Sequence, residues 1–187
     1  EYSKHSIRGK SEIAQANSTA SADGLTKNYA FEYSNGILEP LTLMIPNIYG
    51  GSSMNFLVRD QKSKVYKALV NSGDEQTANQ LASYTSAYWG PQNLTSPYYV
   101  GAVICFLFAI GIAFAAKHYV WWLVPISLLA IMMSWGSSFE AFNYFLFDYL
   151  PGYNKFRSVT FALIIPIFCM PLLGLIGLEK LLSEGLR

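Results

Sequence analysis

The chain has 187 residues, with 13 Lys and Arg against 12 Asp and Glu, a formal net charge of +1, and a composition that is 52% hydrophobic. Balanced charge excludes a basic nucleic-acid binder, and the apolar content excludes a disordered tail. Sixteen of the 25 charges, eight of each sign, fall in residues 1–97, so the halves face different solvents, water then membrane, which excludes a soluble one-domain enzyme.

Residues 1–30 are polar, with Asn17, Ser18, Thr19, Ser21, Asp23 and Gly24 as turn formers and no sustained apolar period, which predicts a flexible stretch. The chain begins at Glu1 without an initiator Met, a charged n-region or an apolar h-region, and so reads as an internal piece of a longer protein. Across 28–48, Asn35-Gly36 and Pro46-Asn47 interrupt an aromatic-rich run and predict short helical or extended pieces. Gly50-Gly51-Ser52-Ser53 predicts a tight turn. Beyond it, 62–71 carries Val65, Leu69 and Val70 at helical spacing and ends at Gly73. Asp74 then stands as the N-cap of a second short helix over 75–88, with Ala78, Leu81, Ala82 and Thr85 on one face, broken at Trp89-Gly90-Pro91.

Residues 98–116 carry no charge and, at about 1.5 Å rise per residue, match a hydrocarbon core; Tyr98 and Tyr99 mark the interface. Lys117-His118 predicts a tight polar turn, followed by a second span over 119–135 that contains Pro125. A third, 158–178, contains Pro166 and Pro171, each removing a backbone donor, so kinks are expected. Between the last two spans, Ser137 and Glu140 fit a capping box, and Phe139, Phe142, Leu146 and Tyr149 recur at helical spacing up to Pro151. That helix is too short to span and is expected in the interface or tucked against the protein. Cys105 and Cys169 sit in the apolar runs as small hydrophobes, and His5 and His118 lack companions at ligand spacing, so no disulfide framework, metal site or cofactor is predicted.

The fold class expected is therefore mainly α: a polytopic α-helical membrane protein fragment with three transmembrane helices and a loop region of short helices. Three spans place 1–97 and 136–157 on one side. Charges near the spans, Lys117, Lys180 and Arg187 against Lys155 and Arg157, do not decide which side.

Four runs carry a resemblance: Tyr2 with SIRG at 6–9, EPLTLMIPNIYGG at 39–51, YWGPQ at 88–92 and LPGYNKFR at 150–157. In order and spacing they resemble the YfhO-like bacterial integral membrane proteins, in the form seen in Bacteroidetes, and through them the transferases of the C-type glycosyltransferase fold. The resemblance implies a multi-pass protein of the bacterial inner membrane with ten or more spans. It implies transfer of a sugar from a polyprenyl-phosphate carrier to an envelope glycan acceptor on the outer face, with the lipid bilayer as a further partner and no nucleic acid. Residues 1–97 and 136–157 are then extracytoplasmic and 179–187 a cytoplasmic tail. The family's catalytic carboxylate belongs to a first outer loop upstream of Glu1, so no residue here is assigned as the base, and this stretch alone is not expected to turn over. A non-catalytic scaffold or transporter of envelope assembly is the alternative; the uncharged spans weigh against transport.

Glu39, with Asn47 and Tyr49, has the chemistry of a sugar or acceptor pocket, since carboxylates and amides bind hydroxyls and aromatic faces stack on sugar rings. The plainer alternative is that Glu39 caps a short helix and Asn47 makes a turn. Arg157 and Lys155, presented with Asn154 after the Pro151-Gly152 turn, suit the phosphate of the lipid carrier, or else serve as interfacial anchors. The aromatic face at 139–149 contacts a polyprenyl chain or packs internally. Gly101, Gly111, Gly174 and Gly177 are expected to permit close helix approach. The tripeptides Asn17-Ser18-Thr19 and Asn93-Leu94-Thr95 match a glycosylation pattern by chance, and Arg59-Asp60 and Asp74-Glu75 read as solvated faces.

Overall fold

Side chains that cannot be satisfied by water organise the second half of the chain, and short hydrogen-bonded turns organise the first. The computed structural model describes residues 20–21, 24–58, 62–91 and 98–185. The SIRG run at 6–9, the tripeptides at 17–19 and 93–95, Arg59-Asp60 and most of the stretch expected to be flexible lie outside the described residues. Within them the fold is mainly helical.

The described part of the N-terminal stretch is built rather than irregular. Strands β1 (Ala20–Ser21) and β2 (Gly24–Leu25) pair antiparallel, Ala20 opposite Leu25, and helix α1 (Lys27–Ala30) follows. Leu25, Ala30 and Phe31 are buried, and a few apolar residues in a polar stretch suffice to pin it. A 3-10 turn, Glu39–Leu43, comes next.

Helix α2 (Lys64–Ser72) is capped by Ser63, whose Oγ accepts from Tyr66 N, and α3 (Glu75–Tyr84) by Asp74, which accepts from Thr77 N at 2.6 Å. The hydrogen bonds from Thr77 hold the Asp74 carboxyl below the usual carboxylate range. The buried residue of α2 is Tyr66, not the expected Val65, because the Tyr66 hydroxyl donates to Asn79 Oδ1 of α3 at 2.8 Å. Helix α3 also stops four residues before the expected Tyr88. Residues 85–89 leave the helix to pair with the 49–57 loop, through Leu57 N to Thr85 O, Ala87 N to Asn55 O, Gly51 N to Ala87 O and Trp89 N to Tyr49 O. The glycine pair at 50–51 is thus part of a ladder, with Gly50 (φ 84°) opposite Tyr88.

Three apolar helices follow: α4 (Ala102–Phe114), α5 (Lys117–Ser134) and, after α6 (Glu140–Tyr149), α7 (Ile164–Gly185), which continues a 3-10 turn over Val159–Leu163. Among the described residues one helix, Val159–Ser183, is long and apolar enough to cross a membrane by itself. Helix α4 has 13 residues and so is about 20 Å long. It begins later than expected because Gly101, at φ 113°, turns the chain and residues 98–100 are outside regular secondary structure. The turn before α5 is Ala115-Ala116, and Lys117 and His118 already belong to the helix. Pro125 and Pro171 lie inside helices; Pro166 falls in the first turn of α7.

After α5 the chain bends by 108° into Gly136–Tyr149. The Ser137–Glu140 capping box does not form: residues 136–139 make a 3-10 turn, Ser137 N donates to Ser34 Oγ, and the N-cap of α6 is Phe139, which offers no side-chain cap. The inward face of α6 is also offset from the expected one. Asn143 is fully buried, Tyr144 and Phe147 pack on Phe31, and Tyr149 is 73% exposed.

Helix α7 is the hub. Leu123 of α5, Cys169 and Leu173 of α7 and Ala115 form one buried cluster. Gly111, Gly174 and Gly177 let α4 and α7 touch: a Cβ on Gly174 would stand 2.9 Å from Leu107 Cβ, and one on Gly177 would stand 2.8 Å from Gly111 N. Gly101 takes no part in this contact. The same helices turn large apolar side chains outward, among them Phe106, Trp121, Leu128, Phe168 and Leu175, each more than half exposed. At one end of these helices sits the loop layer. Leu43 O accepts from Val100 and Gly101 N at the start of α4, and Asn35 N donates to Ser134 O at the end of α5.

Candidate functional site

Two polar clusters lie in that loop layer. The first is built on Glu39, which opens the 3-10 turn with Pro40 behind it and is 3% exposed. One carboxylate oxygen accepts from Gly36 N and the other from the Tyr88 hydroxyl. Thr42 Oγ1 donates to the Glu39 carbonyl at 2.7 Å. Small residues make the room: a Cβ on Gly90 would stand 2.8 Å from Glu39 Oε1, and one on Gly36 would stand 2.7 Å from Pro91 Cγ. Burial, then the neighbouring carboxylate that accepts its hydrogen bond, push the Tyr88 hydroxyl well above the usual phenol range.

Of the residues expected beside Glu39, Tyr49 is present, its ring 6.3 Å from Tyr88 and edge-on to Trp89 at 5.8 Å. Asn47 is not gathered in. It is exposed, has φ 59°, and its carbonyl accepts from Gly50 N, which makes it a turn residue. The cluster thus joins EPLTLMIPNIYGG to YWGPQ, although 49 positions separate Glu39 from Tyr88.

The second cluster is built on Arg157. Gly152 (φ 83°) turns the chain into a 3-10 turn, Tyr153–Lys155, that leads to it. Arg157 Nη2 donates to Glu32 Oε2 at 2.7 Å and to the Tyr33 hydroxyl at 2.9 Å. The guanidinium carbon lies 4.5 Å from the Tyr29 ring centre and 4.9 Å from that of Tyr33. The hydrogen bond to Glu32 raises its pKa, and its Nε is buried with no hydrogen-bond partner. A second pair runs alongside: Lys27 Nζ bonds Asp148 Oδ2 at 2.7 Å and lies over the Tyr144 ring at 5.1 Å. Asn154 and Lys155 are half-buried in the 3-10 turn.

Asn143 sits behind these pairs, fully buried, donating to Met132 O and Phe139 O and accepting from the Tyr153 hydroxyl at 3.1 Å. Burial pushes the Tyr153 hydroxyl up to about 12. Glu32, Tyr29, Tyr33, Tyr88 and Asn143 all escape a reading of the sequence. Tyr88 was within reach through its motif, but the Glu32–Arg157 pairing spans 125 positions and carries no local signal.

At the opposite end, an open groove of ≈ 900 Å³ lies beside the Ala115-Ala116 turn, with Lys117, His118 and Lys180 on its rim and Trp121 in its wall. None of the expected site residues lines it. Among the described residues no group of three or more His, Cys, Asp or Glu is placed to hold a metal ion. Comparison with models of known protein families, with curated proteins and with solved structures gives no match for this chain.

Proposed function

We propose that the chain is the membrane-embedded part of a multi-pass bacterial inner-membrane protein of the YfhO-like kind. In this reading it handles a polyprenyl-phosphate-linked sugar and an envelope acceptor at the outer surface of the bilayer. The single observation that carries the membrane part is the outward apolar surface of α4, α5 and α7. Side chains such as Phe106 (66% exposed), Trp121 (83%) and Phe168 (68%) cover all three helices, and a surface of that kind needs lipid or further helices as its solvent. In the proposed topology α4, α5 and α7 each cross, α4 with help from the chain before it, and the loop layer faces outward. The transferase part rests on the four motif runs, of which EPLTLMIPNIYGG, residues 88–91 and LPGYNKFR lie in that layer.

Arg157 is the residue proposed to meet the donor phosphate, with Lys155 and Asn154 beside it. Its Nη2 is held by Glu32 and Tyr33 and its Nε is buried without a partner, so the donor phosphate would have to displace the Glu32 carboxylate from the guanidinium. The test is transfer of sugar from a polyprenyl-phosphate donor in membranes holding the full-length protein, for wild type, Arg157→Lys and Arg157→Ala at matched expression. A phosphate role predicts a loss of roughly tenfold for Lys, which keeps the charge but loses the fork, and a larger loss for Ala. Lys behaving as wild type removes the phosphate role.

One observation favours the second reading, a non-catalytic scaffold. Both oxygens of Glu39 are satisfied within the chain, and the Arg157 charge is paired with Glu32, as expected of residues that hold loops together. Under that reading the Arg157 variants leave envelope glycosylation unchanged and lower only the amount of folded protein.

A further inference from the structure

The helix α4 is too short for the membrane it is proposed to cross. Thirteen residues give about 20 Å, against a hydrocarbon core of about 30 Å. The contacts of α4 with α7 show where the shortfall lies. Leu107 meets Gly174 and Gly111 meets Gly177, so the two helices run parallel, and Ala102 stands level with about Cys169. Residues 159–168 of the long apolar helix therefore extend beyond the start of α4, and their outward side chains are still fully apolar: Phe161, Ile164 and Phe168 are each about two-thirds exposed.

The space above α4 is occupied by the segment 35–45. At one end Asn35 N donates to Ser134 O, where α5 finishes, and a Cβ on Gly136 next door would stand 2.8 Å from Val159 Cγ2, so this end is level with the start of the apolar helix. At the other end Leu43 O accepts from Val100 and Gly101 N at the start of α4. Between the two, the chain passes from the level of the start of the apolar helix to that of the start of α4. Its outward side chains are Ile37, Leu38, Leu41, Met44 and Ile45, all 41–60% exposed. Its polar groups are withdrawn: Glu39, Thr42 and Asn35 are buried, the Glu39 carboxylate takes both its hydrogen bonds from Gly36 and Tyr88, and the Trp135 indole caps Ile37 O at 3.1 Å. Backbone at membrane depth survives when its polar groups are satisfied inside the protein. In this segment Gly36 N, the carbonyls of Gly36, Ile37, Leu38, Glu39, Leu41 and Leu43, and the N–H groups of Glu39, Leu41, Met44 and Ile45 are bonded within the chain, and the outer face is apolar.

We propose that residues 36–45 dip into the lipid of the leaflet nearest the loop layer, seated on α4 and completing its passage through the hydrocarbon. The partner of this surface is the acyl region of the bilayer. The inference rests on the membrane reading of α4, α5 and α7, and its test separates the two. Single spin labels are placed at Leu38, Leu41 and Ile45, with Phe168 on α7 as the lipid control and Gln76 on α3 as the aqueous control, in full-length protein lacking Cys105 and Cys169 and reconstituted in phosphatidylcholine–phosphatidylglycerol vesicles. Collision with oxygen is compared with collision with a water-soluble nickel chelate. The labels at 38, 41 and 45 are expected to match Phe168, with oxygen collisions dominant, and to differ from Gln76. If they match Gln76 while Phe168 stays oxygen-dominated, the dip is overturned and the membrane reading stands. If Phe168 is itself nickel-accessible, the membrane reading fails and takes the dip with it.

Discussion

At the residue scale, Glu39 and Tyr88 form the pair whose removal is most informative. A buried carboxylate with both oxygens occupied holds two loops at once, the Asn35-Gly36 turn through one oxygen and the 85–90 segment through the other. Glu39→Ala leaves the Gly36 N–H and the Tyr88 hydroxyl without an acceptor, whereas Tyr88→Phe removes one hydrogen bond and leaves the carboxylate its contact with Gly36. Hydrogen bonds to charged groups contribute about 1.5–3 kcal/mol each. Glu39→Ala is therefore expected to cost roughly 3 kcal/mol or more and Tyr88→Phe about half of that, read as unfolding of the detergent-solubilised protein. The double variant should cost little more than Glu39→Ala alone, because the two act through one contact. Full additivity would show that the two side chains work independently. Residue identity told only part of this: the carboxylate stood out in its motif, but its acceptor role depended on a phenol 49 positions away.

At the element scale, the contact of α4 with α7 depends on the absence of side chains. Gly111, Gly174 and Gly177 let two backbones approach, and in lipid such van der Waals packing supplies much of what the hydrophobic effect supplies in water. Gly177→Leu is expected to force α4 off α7 and destabilise the pair by about 1–3 kcal/mol, the usual cost of overpacking. Gly101→Ala acts differently. An added Cβ there meets nothing closer than Ile104 Cγ1 at 4.0 Å, but φ 113° strains any L side chain, so the expected effect is a shifted start of α4 with its packing on α7 preserved. The distance between spin labels at the exposed positions Phe106 on α4 and Phe168 on α7 distinguishes the outcomes. It should be unchanged in a Gly101→Ala background and longer with Gly177→Leu; an unchanged distance in both would remove the glycine contact as the basis of the pairing. The stretch of small and apolar residues made these glycines legible in the sequence, but equally so Gly101, which has another role.

At the scale of the whole molecule, the three apolar helices have their loop layer at one end and the Ala115-Ala116 turn at the other. If lipid surrounds the helices, cysteines at Ile110 and Leu129 in full-length protein should not react with a membrane-impermeant thiol reagent, while cysteines at Ser137 and Lys117 should react from opposite sides of the membrane. Reaction of Ile110 or Leu129 in intact vesicles would remove the spans, and reaction of Ser137 and Lys117 from the same side would remove the alternating topology. The 108° bend after α5 turns α6 away from the line of the apolar helices, so that its Tyr144 and Phe147 pack on Phe31 of the loop layer.

The sequence by itself determined the helical class, the apolar character of the second half, the break between short-turn and long-helix regions, and the Asp74 cap. Each of these depends on residues within a few positions of one another or on composition summed over a window. Only the tertiary structure decided the lengths of the apolar helices, the inward face of α6, the fate of the Ser137–Glu140 box, and the partners of Glu39 and Arg157. Uncharged residues do not record whether they are helical or extended, so 98–101 read as span until Leu43 took up the Val100 and Gly101 donors. The Ser137 cap lost to Ser34, 103 positions away. Arg157 met Glu32 and Tyr33 because the turn at Gly152 and the packing of Tyr153 beside Phe31 bring the two loops together, and no local pattern encodes a contact made across that distance.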